Sequence, residues 1–169
     1  LIVAAACCGV HASRDEGTEK PGKPGSIPEG YRLVWSAEFD GAGDPDPAVW
    51  KHEEGFKRNN ELQWYQRENA TLEDGMLVIE GRRERVENPG YEEGSGNWRK
   101  RRRYAEYTSA SLTTRGTHEW QYGVFEMRAR IDIREGLWPA WWSLGSARPW
   151  PGCGEIDMME YYQGDVLAN

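Results

Sequence analysis

Phenylalanine is nearly missing from this sequence: 3 Phe stand against 9 Trp and 8 Tyr. A core needs only apolar bulk and takes Phe readily. Trp and Tyr join a flat apolar face to a polar edge, which suits a wet stacking surface and equally suits half-buried positions in a β protein. Composition alone leaves both readings open. Cysteine and histidine are scarce as well, 3 of each, with neither a C-x-x-C pair nor H-E-x-x-H, so a disulfide scaffold and a zinc site both fall away. Positive charge is in deficit, with 21 Lys and Arg against 28 Asp and Glu for a net charge of −7. Such a chain has no overall attraction for a phosphate backbone, so nucleic acid is not an expected partner. No amphipathic helix of useful length appears. The 169 residues suffice for one domain with a real core and hardly for two.

The chain opens on Leu1 rather than Met. Leu1 to Val10 is apolar and uncharged, too short to cross a bilayer, and runs into Val10-His11-Ala12, a small-residue cleavage pattern. Residues 1–12 therefore read as a signal-peptide remnant and imply a secreted protein, extracellular or periplasmic; the competing reading is a buried strand. Ala4-Ala5-Ala6-Cys7 loosely matches a bacterial lipobox, so a membrane enters only through lipidation at Cys7. Residues 13–30 are rich in Gly, Pro and charge, with Ile27 the lone large apolar residue, as expected of a solvated linker. The folded domain is expected over 31–169.

From Tyr31 onward the pattern is β. Phe125, Met127, Ala129, Ile131 and Ile133 alternate with Glu126, Arg128, Arg130 and Asp132, a period of two that predicts a strand with one buried and one wet face. One-sided strands favour antiparallel pairing. Further strands are expected over Tyr31–Phe39, Met76–Gly81, Thr108–Thr114, Leu137–Leu144 and Glu155–Tyr162, between turn clusters such as Asp40-Gly41-Ala42-Gly43 and Glu73-Asp74-Gly75. Short strands, Gly/Pro turns and no helices indicate an all-β, antiparallel β-sandwich or barrel.

The chemistry concentrates in Gly154-Glu155-Ile156-Asp157-Met158-Met159-Glu160-Tyr161-Tyr162. On a helix, at about 100° per residue, Glu155, Asp157 and Glu160 would not converge. On a strand, Glu155 and Asp157 share a face, and the pair Met158-Met159 shifts the phase by one. One extra residue is a β-bulge, which returns Glu160 to the face of Glu155 and Asp157. The two glutamates are then four strand steps apart, roughly 13 Å between Cα atoms. Side chains leaning inward bring the carboxyls to about 5 Å, the spacing of a nucleophile and an acid/base in a retaining glycosidase. Three like charges so close cannot all ionise at their ordinary values, which lets one glutamate stay charged while another keeps a proton. Three carboxylates are also a good cage for Ca²⁺, and spacing alone does not separate sugar chemistry, metal binding and a solvated acidic face.

Just upstream, in Gly136-Leu137-Trp138-Pro139-Ala140-Trp141-Trp142, strand alternation puts Trp138, Ala140 and Trp142 on one face and Trp141 on the other. Flat rings beside carboxylates suit sugar rings; a sandwich core is the plainer use of one of the two faces. At these residues the sequence resembles glycoside hydrolase family 16, in particular its laminarinase-like (endo-β-1,3-glucanase) branch. Glu155-Ile156-Asp157-Met158-Met159-Glu160 matches the signature E-[ILV]-D-x-x-E, and Gly136–Trp142 matches G-[LIM]-W-P-A-[FW]-W. Asn59–Tyr65, Tyr107–Ala110 and Tyr122–Ala129 match further blocks in the expected order.

The resemblance implies a jelly-roll β-sandwich with a concave, aromatic-lined cleft and hydrolysis with retention. Glu155 matches the family's nucleophile, Glu160 its acid/base and Asp157 the assisting aspartate, while Trp138, Trp142 and Asn60 match positions lining the non-reducing-side sugar subsites. The implied partner is a β-glucan polysaccharide, cut by a monomer with no cofactor for catalysis. A structural Ca²⁺ on the convex face is a further implication, with ligands that the sequence does not name. Two features depart from the pattern. Many laminarinase-like members carry Arg where this chain has Ser111, and the basic run Arg99-Lys100-Arg101-Arg102-Arg103 is heavy. Such a run is commonly a solvated loop, but beside a cleft it suits sulfated galactans of the agar, carrageenan or porphyran type. The chain also ends shortly after the carboxylate strand, so an incomplete sandwich lacking its C-terminal strands is expected. A non-catalytic carbohydrate-binding module on the same architecture is the other function class; it has no use for two glutamates set across a bulge.

Overall fold

The computed structural model describes residues 2–7 and 29–169, so most of the expected linker lies outside the described residues, as does Val10-His11-Ala12. The architecture is all-β. Its strands are β1 (Ile2–Cys7), β2 (Lys51–His52), β3 (Gln63–Tyr65), β4 (Ala70–Glu73), β5 (Met76–Ile79), β6 (Val86–Glu87), β7 (Tyr104–Ala105), β8 (Tyr107–Thr113), β9 (Ala140–Leu144), β10 (Glu155–Tyr162) and β11 (Asp165–Leu167). One 3-10 turn, Arg67–Asn69, precedes β4.

A seven-stranded sheet runs β11-β10-β9-β1-β8-β2, with β3 also pairing β8; β4-β5 and β6-β7 form two small ladders. The expected antiparallel pairing holds along the main path, but β3 lies parallel to β8, with Trp64 opposite Thr108. The segment read as a leader tail supplies β1. It lies antiparallel between β8 and β9, Ala4 standing opposite Thr113 on one side and Trp142 on the other. The Glu73-Asp74-Gly75 cluster closes the β4-β5 hairpin, with Asp74 and Gly75 at φ of 52° and 74°. Two successive left-handed residues match the right-handed twist of the flanking strands, and Gly meets the requirement without steric cost.

The core lies on one face of β8. Ala110 and Leu112 are fully buried and cluster with Trp50, Ala70 and Ile79, against which Trp35, Ala37, Phe39, Val49 and Leu77 pack. Asn69, also buried, donates from Nδ2 to the Glu80 carbonyl and to Thr108 Oγ1, both at 2.9 Å, which ties the 3-10 turn to the sheet.

Two expected strands are not strands. Tyr31–Phe39 makes no ladder, although its alternation correctly delivers Trp35, Ala37 and Phe39 to the core. Phe125–Ile133 is likewise outside any ladder, and its apolar row is largely uncovered, with Met127 37% and Ile133 60% exposed. The physical reason is common to both. Period-two alternation assigns faces, but a strand also needs a neighbour for its backbone N–H and C=O groups. Neither segment meets such a neighbour among the described residues.

Candidate active site

The site is built on the antiparallel pair β9-β10. Glu155 stands opposite Leu144, Asp157 opposite Trp142 and Glu160 opposite Ala140, while Met159 stands opposite Trp141. The register shifts between Asp157 and Met159, leaving Met158 as the extra residue. Because Leu144, Trp142 and Ala140 are two apart on β9, their partners share one face. Glu155, Asp157 and Glu160 therefore form a single row, returned to phase by a bulge at the predicted place. Main-chain bonds fix this geometry. Asp157 N donates to the Asn169 carbonyl at 2.9 Å and Asn169 N to the Asp157 carbonyl at 3.0 Å, and Tyr161 N donates to the Pro139 carbonyl at 2.9 Å.

Each glutamate receives an indole N–H. Trp138 Nε1 donates to Glu160 Oε1 at 3.1 Å, and Trp150 Nε1 donates to Glu155 Oε2 at 2.8 Å. Asn169 Nδ2 reaches Glu160 Oε2 at 3.5 Å. Burial, then the charges of Glu160 and Glu155, hold the Asp157 carboxyl above its ordinary value of 3.8. That is the behaviour of the middle member of a like-charged row. Among the described residues no group of three or more His, Cys, Asp or Glu side chains is placed to hold a metal ion.

Beyond Trp142 the wall is formed by the loop between β2 and β3. The Arg58 guanidinium lies 5.2 Å from the Trp142 ring centroid and 5.6 Å from that of Tyr65, and it is ion-paired with Glu53. The same Glu53 oxygen accepts a hydrogen bond from Ser111 Oγ at 2.7 Å. At the position where the family pattern has an arginine, Ser111 is thus joined through Glu53 to a guanidinium that arrives from another strand connection. Asn60 follows two residues later; Arg101 Nη2 donates to its Oδ1 at 3.2 Å and Arg102 Nη2 to its carbonyl at 3.0 Å.

The structure thus brings Glu155, Asp157, Glu160, Trp138 and Trp142 together at one face, with Asn60 further along the loop that carries Arg58. Trp138 also packs on Tyr162, ring centroids 4.7 Å apart. Sequence reasoning missed Trp150 and Arg58. Trp150 stands between two prolines, and its distance of five residues from Glu155 was the available signal. Arg58 carries no local signal, since its partners are remote in sequence.

No family model matches the chain. Curated relatives do. A β-glucanase of Rhodothermus marinus is 44% identical over 150 residues, covering 81% of this chain and 46% of that protein. A glucan endo-1,3-β-glucosidase of Cryptopygus antarcticus is 39% identical over 137 residues, covering 76% and 45%. Among solved structures, one described with endo-acting O-glycanases by which human gut microbiota initiate mucin breakdown matches at TM-score 0.73 and 40% identity, covering 81% of this chain and 50% of that one. The catalytic domain of the Thermotoga petrophila RKU-1 laminarinase matches at 0.66 and 40%, covering 80% and 54%. The fold class is that of these neighbours, the jelly-roll β-sandwich of carbohydrate-cleaving enzymes. In sequence and fold the chain is similar to endo-β-1,3-glucanases of glycoside hydrolase family 16. It spans about half the length of the curated relatives it matches.

Proposed function

We propose that the full-length protein is a retaining, endo-acting hydrolase of β-1,3 or mixed-linked β-glucan. The observation that carries this reading is the bulge at Met158, which sets Glu155, Asp157 and Glu160 in one row beside Trp138 and Trp142. Glu155 attacks the anomeric carbon and forms a glycosyl ester, with the Trp150 N–H fixing one of its oxygens. Glu160 gives its proton to the leaving oxygen, then takes one from the water that releases the sugar. Asp157, between them, assists by holding the orientation of the nucleophile. The chemistry uses no cofactor, and the family's calcium ion, if bound, is structural and remote from this row. Residues 1–12 serve export, so the protein acts outside the cytoplasm, with Cys7 the candidate lipid anchor.

An inverting enzyme leaves room for a water between substrate and base, with carboxyls about 6.5–9.5 Å apart, whereas direct attack needs about 5–5.5 Å. Retention is therefore expected. Proton NMR of the first product from laminarin or lichenan should show the β-anomer before mutarotation; initial appearance of the α-anomer would overturn the roles given to Glu155 and Glu160. Glu155→Ala should abolish release of reducing ends while sugar binding persists, an outcome that a pure binding module could not produce.

A further inference from the structure

The Trp142 ring is held from a loop as well as from its own strand. On β9 it stands opposite Asp157, on the face of the carboxylate row. Over that ring lies Arg58, its guanidinium 5.2 Å from the Trp142 centroid and 5.6 Å from that of Tyr65. Local chain geometry delivers the side chain there. Asn59 and Asn60 are both left-handed, at φ of 53° and 55°, and Glu61 N donates to the Arg58 carbonyl at 3.1 Å. Arg58 thus opens a tight turn whose two central residues have positive φ, a conformation that asparagine accepts more readily than most residues. Glu53 fixes the other end of the side chain. It is ion-paired with Arg58 and accepts a hydrogen bond from Ser111 Oγ on β8, and Ser111 is fully buried. A continuous line of contacts, Ser111 to Glu53 to Arg58 to Trp142, therefore joins β8 to the ring on β9. Arg58 Nη1, by contrast, is buried and has no hydrogen-bond partner. A buried donor without an acceptor costs stability, so a guanidinium placed for stability alone finds oxygens for its donors. This one lies over two rings instead.

We propose that Arg58 is a positioning residue for the sugar platform: locked by Glu53 and by the Asn59-Asn60 turn, it clamps the Trp142 indole and so fixes the plane on which a glucosyl ring stacks beside the carboxylate row. A ring already held by a cation has little freedom left to lose when the sugar arrives, so affinity rises without a new contact to the sugar. The planar guanidinium matters as much as the charge. A lysine can keep the ion pair with Glu53 but has no flat group to lie over two rings. The proposal rests on the reading of the Trp142 face as a glycan cleft.

The test is a double-mutant cycle on the full-length protein carrying Glu155→Gln, so that the ligand survives, read by calorimetric titration with laminarihexaose. Trp142→Leu removes the ring and keeps apolar bulk. Arg58→Met should weaken binding roughly fivefold where Trp142 is present, and by less than about twofold in the Trp142→Leu background, because Arg58 acts through the ring. Arg58→Lys should keep the urea midpoint near that of the unsubstituted protein yet bind the sugar nearly as weakly as Arg58→Met, a split that a purely structural ion pair does not produce. Circular dichroism shows whether each variant is folded, and Arg58→Lys takes the place of Arg58→Met in the cycle where the latter is not. Equal losses in the two Trp142 backgrounds, full affinity in Arg58→Lys, or absence of laminarihexaose binding overturns the clamp. Hydrolysis is read separately on protein that retains Glu155. Absence of cleavage of every β-glucan, with the coupling between Arg58 and Trp142 intact, refutes the proposed function and leaves the clamp standing.

Discussion

Two parts of the molecule crowd charges of one sign, and different forces set the spacing. In the row Glu155, Asp157 and Glu160 the spacing is imposed by the β9-β10 ladder, and burial together with the flanking charges holds Asp157 above its ordinary value. In the corner formed by Arg99, Arg101 and Arg102 no strand sets the spacing. Main-chain carbonyls of Lys57 and Asn60, the Asn60 side-chain oxygen and the rings of Phe56 and Trp98 hold the guanidinium groups, which stay charged. A carboxylate can answer crowding by keeping a proton. An arginine cannot give one up and relies on neutral acceptors and ring faces.

That contrast breaks most sharply on loss of one member of the row. Glu160→Gln keeps the bulge and the β9-β10 register but removes the proton donor. Hydrolysis should fall by about 10³-fold or more, as expected for loss of one member of a catalytic unit. Wild-type turnover in this variant would show that the row is not the reactive site.

A smaller effect is expected where the two parts meet. Arg58→Met removes the guanidinium between Trp142 and Tyr65 and leaves Glu53, whose side chain is 26% exposed, facing Ser111 alone. Stability should drop by about 1–3 kcal/mol, read from the midpoint of urea unfolding. KM on β-glucan should rise more than kcat falls, because Trp142 loses a neighbour while the carboxylate row is intact. Glu53→Gln should restore part of the stability in the Arg58→Met background by removing the orphaned charge.

The smallest effect is a pH dependence. Asp157 binds its proton more tightly folded than unfolded, so folding stability falls as pH rises from 3.8 through the raised folded value. Asp157→Asn removes that contribution. Thermal midpoints of the variant relative to wild type should therefore climb across this acid window and level off above it; a constant offset would show that neither burial nor the neighbouring carboxylates raise Asp157.

Much of the site was legible because its signals are local. Six consecutive residues, Glu155–Glu160, contain both the alternation and its interruption, and β10 spans Glu155–Tyr162 as expected. Trp142 followed from the same parity argument on β9, and Trp138 from extending that parity to the residues just before the strand. The failures share the opposite property. Phe125–Ile133 has a longer and cleaner alternation than β10 yet lies outside any ladder, as does Tyr31–Phe39. Pairing depends on what lies beside a segment in space, which periodicity does not encode.

The amino-acid sequence by itself determined the chemistry of this protein. It set which carboxylates share a face, where the bulge falls and which rings stand near them, because a strand's side-chain period of two is a property of the chain alone. Only the tertiary structure decided what those groups meet. Ser111 accepts the company of Arg58 through Glu53, Glu155 receives the Trp150 N–H, and Arg101 and Arg102 turn onto Asn60. Each of these contacts joins residues of different loops or strands, whose distance in space is fixed by the packing of the whole sheet rather than by their own order.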